Sequence, residues 1–240
     1  MMRSRAIVSL VLLIFFVISL LTNIIGPLIP EVIDTFHVSL TAAALLPFAF
    51  FIGYGVASIP AGMLVEARGE KPVILAAFAA SLAAAAAFAA VPVYAMAMAS
   101  FAVIGLAMAA LQVAINPLLR VAGGEEHYAF YSAFAQFVFG AASFLSPRLY
   151  SYLVGKLALP WARIYWVFAA VTLLTIGVIS PARFPRVERT SEERIGAWET
   201  HRRLFGSRVV LLYFASMFAY VGVEQGMADW MSKFLADYHG

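Results

Sequence analysis

The chain has 240 residues, 63% of them hydrophobic and only 12% charged, with a mean hydropathy of +0.91. A soluble domain is about half apolar and a quarter charged, so these proportions exclude an ordinary water-soluble fold and describe a membrane protein. The net charge of +3 does not mark a nucleic-acid binder, because the basic residues flank apolar spans, and the absence of cysteine excludes disulfides and thiolate metal sites.

A helix needs about 20 apolar residues to cross a hydrocarbon core. Seven stretches meet that length, near 6–27, 42–65, 73–91, 94–119, 129–154, 162–181 and 209–231. The first follows Met-Met-Arg-Ser-Arg; it exceeds a signal-peptide core and no small-x-small site follows, which predicts an uncleaved span. It carries Asn23 near its end, and Pro27 and Pro30 beyond, where a kink is tolerated if neighbours satisfy the freed carbonyls. Between the second and third spans lies Gly62-Met-Leu-Val-Glu66-Ala-Arg68-Gly69-Glu-Lys71, a short basic loop with a glycine for a tight turn. The third span, with Ser81-Leu-Ala-Ala-Ala-Ala-Ala-Phe-Ala-Ala90, predicts close helix contacts through small side chains.

The fourth span, Gly105-Leu-Ala-Met-Ala-Ala-Leu-Gln-Val-Ala-Ile-Asn-Pro-Leu-Leu-Arg120, interrupts its apolar run with Gln112, Asn116 and Pro117. One helical turn sets the two amides on the same face, where one cavity could use both. Pro117 has no N–H for the Val113 carbonyl, which leaves an acceptor beside that face. The fifth span carries Gln136 and, at its end, Arg148, expected to snorkel to the interface or meet an acid. The sixth opens with Trp161, Tyr165 and Trp166, expected as an interfacial aromatic belt.

Residues 182–208 follow as a polar linker with seven arginines and Glu188, Glu192, Glu193 and Glu199, read as a solvated connection. The seventh span holds Glu224, Gln225 and Asp229. Gln225 and Asp229 share a face, while Glu224 points aside and is the deepest acid in the chain. An intramembrane acid is a functional candidate by default. Asp229 and Asp237 are expected near the outer water.

Placing the N-terminus in the cytoplasm puts 12 of the 16 basic residues on the inner side and leaves Arg148, Lys156, Arg163 and Lys233 outside. Only this orientation satisfies the positive-inside bias. Two internal matches suggest a two-bundle plan. Val32-Ile-Asp-Thr-Phe-His37 pairs with Phe234-Leu-Ala-Asp-Tyr-His239 at an offset of 202, which also sets Asn23 against Gln225. Phe48-Ala-Phe-Phe-Ile52 pairs with Phe134-Ala-Gln-Phe-Val138 at an offset of 86, between spans that run in opposite directions. Inverted repeats nested within parallel halves are a transporter signature.

Gly62, Glu66, Arg68, Gly69 and Lys71 resemble the loop motif of the major facilitator superfamily, Gly-x-x-x-Asp-x-x-Gly-x-Lys/Arg, with glutamate at its aspartate position. Phe51-Ile-Gly-Tyr-Gly55, Ile59-Pro-Ala-Gly62, Asn116-Pro117 and Tyr220-Val-Gly-Val-Glu-Gln-Gly226 are similar to the fucose:proton symporter branch. The resemblance implies an all-α membrane protein: a six-helix bundle over 1–181, a cytoplasmic linker over 182–208, and the first helix of a second bundle over 209–240, seven of the family's twelve spans. It implies a multi-pass protein of the plasma (inner) membrane that moves a small solute, commonly a sugar, by alternating access. No cofactor, metal or nucleic acid enters this reading, and the partners are the solute, the bilayer, a possible coupling proton or sodium ion, and the second bundle that transport needs.

That branch carries an aspartate late in its first helix and a glutamate four residues before Asn-Pro; those positions are Gly26 and Gln112, which cannot titrate. The expected solute-binding groups are Asn23, Gln112, Asn116, Gln136, Glu224 and Gln225, an amide-rich set suited to sugar hydroxyls. An exporter of amphipathic compounds, or a truncated chain without transport activity, are the alternative readings. No HExxH, Ser/His or paired-aspartate arrangement lies in the spans, so an enzyme is not expected.

Overall fold

The computed structural model describes residues 2–185, 187 and 204–239. Every regular element among them is helical: α1 Met2–Thr22, α2 Ile25–Phe36, α3 Leu40–Arg68, α4 Glu70–Ala90, α5 Tyr94–Gly123, α6 Tyr128–Tyr150, α7 Ile164–Ile179 and α8 Arg208–His239. Seven of the resulting helical segments are long and apolar enough to cross a membrane. With no water in the hydrocarbon to satisfy backbone groups, helices that bond internally are the expected solution. Most of the linker, including Arg186, Arg189, Arg194, Arg202, Arg203 and the four glutamates, lies outside the described residues.

The first span differs from its expected limits. It runs from Arg5 to Phe36 as two helices broken at Asn23 and Ile24, rather than ending at residue 27. Pro27 is the physical reason. It is the third residue of α2, a first-turn position where proline is accepted, and it has no N–H for the Asn23 carbonyl. Asn23 closes the end of α1 locally: its amide nitrogen donates to the Ser19 carbonyl at 2.9 Å and to Ser19 Oγ at 3.1 Å. Pro117, by contrast, does not end α5, which continues to Gly123.

The core forms where α5 packs against α3, α4 and α1, with α6 against α1 and α7 against α4. Ile14, Ile18, Ile74, Phe78, Met108, Leu111 and Ile115 are fully enclosed. The small-residue expectation for α4 is met where Ser100 Oγ reaches the Ala84 carbonyl at 3.0 Å. A tight backbone approach also lies between α3 and α5. At the α3–α5 crossing, a Cβ on Gly53 would overlap the Ala102 carbonyl oxygen, and one on Gly105 would overlap the Phe50 carbonyl oxygen.

Serine hydroxyls tie α6 to the end of α1. Ser19 Oγ donates to the Phe139 carbonyl at 2.6 Å and Ser146 Oγ to the Leu20 carbonyl at 2.8 Å, both serines being enclosed. Interhelical bonds of this kind are worth about 1 kcal/mol in membranes. Ser146→Ala is therefore expected to lower stability by about 1 kcal/mol, read from thermal unfolding in detergent; an unchanged melting point would show that the bond contributes nothing net.

Around α2 and the start of α3, Tyr150 donates to Glu31 Oε1 at 2.8 Å, Trp161 Nε1 to Thr35 Oγ1 at 2.8 Å and Tyr94 to the Ala42 carbonyl at 2.7 Å. Trp161 and Tyr165 consequently do not form the expected belt. They point inward, Tyr165 packing edge-on against Phe88 at 4.8 Å, and only Trp166 of the three is exposed. Arg148 meets no acid among the described residues; its guanidinium lies 4.4 Å from the centre of the Phe144 ring, a cation–π contact that keeps the charge at the surface.

Candidate functional site

The α1–α2 break is also where the seventh span meets the bundle. α8 packs chiefly on α2. A Cβ at Gly26 would stand 2.6 Å from the Ala228 carbonyl oxygen and 3.2 Å from Asp229 Cα, so glycine is what admits the α8 backbone. The two touching positions differ by 228 − 26 = 202, the offset of the internal match in the sequence.

Gln225 and Asp229 share a face of α8, as the spacing predicted. Gln225, Asp229 and Trp230 are partly buried, while Glu224 is exposed. Asp229 thus lies against α2, and Lys233 pairs with Asp237 at 2.6 Å. Gln112 is partly buried on α5; Asn116, one turn on, is exposed on the same helix. Gln136 is exposed on α6. The six expected solute-binding residues therefore fall on the α1–α2 break, α5, α6 and α8, all accessible in whole or part and none enclosed in the core. None of the six lines the three cavities described below, and no side-chain hydrogen bond joins one of them to another among the described residues.

Of those cavities, one of about 440 Å³ lies between α2, the start of α3 and α8, lined by Ile33, Leu40, Trp230, Lys233, Phe234, Asp237 and Tyr238. A second, of about 370 Å³, gathers the loop motif: Glu66, Arg68, Gly69 and Lys71 line it with Phe184, Pro185 and Val187, and Gly62 lies just outside it, buried in α3. Gly69 joins α3 to α4 with φ of +85°, a left-handed conformation that favours glycine. Lys71 Nζ donates to the Ser180 carbonyl at 2.7 Å, which fastens the loop to the end of α7. The third cavity, enclosed by the bundle, is lined by Ser81 and Thr172 among apolar neighbours.

Sequence reasoning missed the hydroxyls that tie α6 to α1, Ser19 and Ser146, and the unpartnered ones, Ser81 and Thr172. It also missed the Tyr150–Glu31 pair, for which an acid just after Pro30 in an apolar segment was the available signal.

Seven membrane-length helices, a broken first span and a basic turn fastened by Lys71 define a multi-pass α-helical membrane protein. Residues 11–240 match the model of the Major Facilitator Superfamily, and the chain belongs to that superfamily. It is 26% identical over 250 residues to glucose/galactose transporters of two Brucella abortus strains, covering 97% of this chain and 58% of each relative. Its fold is similar to crystal structures of the fucose:proton symporter FucP. A variant of the E. coli protein superposes with a TM-score of 0.67 at 20% identity, over 90% of this chain and 59% of that one. FucP in the outward conformation gives 0.65 at 21% identity, over 84% and 56%. The chain thus spans somewhat over half the length of the relatives it matches.

Proposed function

We propose that the protein is, or forms part of, a secondary transporter that moves a small polar solute, a sugar above all, by alternating access. The observation that carries this reading is the α1–α2 break: a first span interrupted at Asn23, whose continuation meets the backbone of α8 at Gly26. Discontinuous membrane helices with polar groups at the repeat interface are where such proteins bind solutes. The similarity to glucose/galactose transporters supports a hexose as the first candidate.

On this reading Asn23, Gln112, Asn116, Gln136, Glu224 and Gln225 present hydrogen-bonding groups to the solute, and the loop of Gly62, Glu66, Arg68, Gly69 and Lys71 joins and releases the bundles on the cytoplasmic side. The N-terminus is cytoplasmic, the membrane is the plasma (inner) membrane, and the units are 1–181, the linker 182–208, and 209–240 as the start of a second bundle. Neither Gly26 nor Gln112 carries a proton, so coupling runs through another group or a sodium ion, or movement is uncoupled.

The test is uptake of labelled glucose, galactose and fucose into vesicles reconstituted with the purified protein, with and without sodium and across pH, alongside equilibrium binding to the same sample. Saturable binding of at least one hexose is the expected result. Binding of none, with the protein shown to be folded, would remove the sugar reading.

One observation favours a second reading. Phe130, Phe134 and Phe137 form a stacked, exposed row on α6, with ring centres 6.1 and 6.0 Å apart. Such a face suits amphipathic compounds, as an exporter would require. A substrate panel separates the two: an exporter lowers the accumulation of apolar cations and ignores hexoses.

A further inference from the structure

Two hydroxyls in the interior of the bundle have no hydrogen-bond partner. Ser81 on α4 and Thr172 on α7 are each 1% exposed, and their Oγ and Oγ1 atoms are unsatisfied. A buried hydroxyl without a partner costs about 1–3 kcal/mol, so it calls for an explanation. Serine and threonine in apolar helices ordinarily bond back to the carbonyl four residues earlier, as Thr175 does to Val171 at 2.7 Å. Ser81 and Thr172 do not.

Both line one cavity, of about 10 Å³, walled by Leu21, Ile25, Phe50, Phe101 and Tyr165. That volume is close to the smallest that holds one water molecule, about 10–15 Å³, and too small for a sugar. Leu21 and Ile25 stand on either side of the break at Asn23 and Ile24, so the cavity lies directly behind the point where the first span is interrupted.

We propose that this cavity is a binding site for a single water molecule, held by Ser81 Oγ and Thr172 Oγ1, which joins α4 to α7 behind the α1–α2 break. Each hydroxyl both donates and accepts, so one water can bond to both with its remaining valence toward Tyr165, the third hydroxyl-bearing residue of the wall. The water satisfies two groups that no protein atom reaches, and it supports the interrupted span without a rigid side chain at that point. A cation is a poorer occupant, since the wall offers hydroxyls and apolar groups but no acid.

Ser81→Ala and Thr172→Val delete one hydroxyl each with little change of shape. If a water bridges the pair, each single variant lowers the melting temperature of the purified chain by about 2 °C, and the double variant lowers it no further than the worse single. If the hydroxyls are simply orphaned, each single variant raises the melting temperature and the gains add. A density map of the unmodified chain in lipid at about 2 Å resolution gives an independent reading, with a peak within hydrogen-bond distance of both oxygens expected. Additive shifts of either sign, or a map without that peak, would overturn the proposal.

Discussion

Gly105→Val is expected to leave little folded protein. The added side chain would have to displace the Phe50 carbonyl oxygen, its carbonyl carbon and its Cα, all backbone atoms of α3. Overpacking against flexible side chains costs about 1–3 kcal/mol. Backbone in the middle of a bonded helix cannot rotate away, so the cost at this crossing lies at or above the top of that range. Gly53→Val meets the Ala102 carbonyl oxygen at the same crossing and shares the expectation. Gly55→Val is the control, because nothing lies within 4 Å of its Cβ position. The measurement is the yield of monodisperse protein after detergent extraction, with the melting temperature of whatever is recovered. If Gly105→Val and Gly55→Val behave alike, the crossing is not the tight contact described.

The contrast between Gly53 and Gly55 shows what a sequence can and cannot convey. Both belong to Phe51-Ile-Gly-Tyr-Gly55, and two residues on a helix lie about 200° apart, on nearly opposite sides. Only the position of α5 tells which one faces a neighbour. The spans themselves were legible because hydropathy summed over about 20 residues is a strong signal, and the observed limits fall within a few residues of those expected except at Pro27. There the span continued past the proline, since hydropathy does not register a break that the next helix immediately resumes. Trp161 and Tyr165 were misplaced for a related reason. Aromatic residues at the start of a span fit an interface by composition, but the turn before α7 points Trp161 at Thr35 and α7 points Tyr165 at Phe88. The amides were visible as exceptions in apolar runs. Ser81 and Thr172 were not, because hydroxyls are common in membrane helices and most bond to their own helix.

Gly26 and Gln112 stand where the resemblance to the symporter branch implies acids, yet the structure makes the two positions unlike. If the protein moves a sugar as proposed, Gln112→Ala should weaken apparent affinity roughly tenfold, the loss of about 1.4 kcal/mol of hydrogen bonding to solute. Gln112→Glu places a carboxyl on a partly buried face of α5, and uptake should then become pH-dependent at this position, where an amide contributes none. Gly26→Asp should do the opposite of restoring proton coupling. Its Cβ would strike the Ala228 carbonyl oxygen 2.6 Å away and crowd Asp229 Cα, prising α8 from α2 before the carboxyl met any solute. Uptake is expected to fall at every pH, and binding of the solute with it. If Gly26→Asp instead gave uptake above the parent at low pH, the contact between the first and seventh spans would have to open widely during transport, and the absence of an acid at residue 26 would lose its steric explanation.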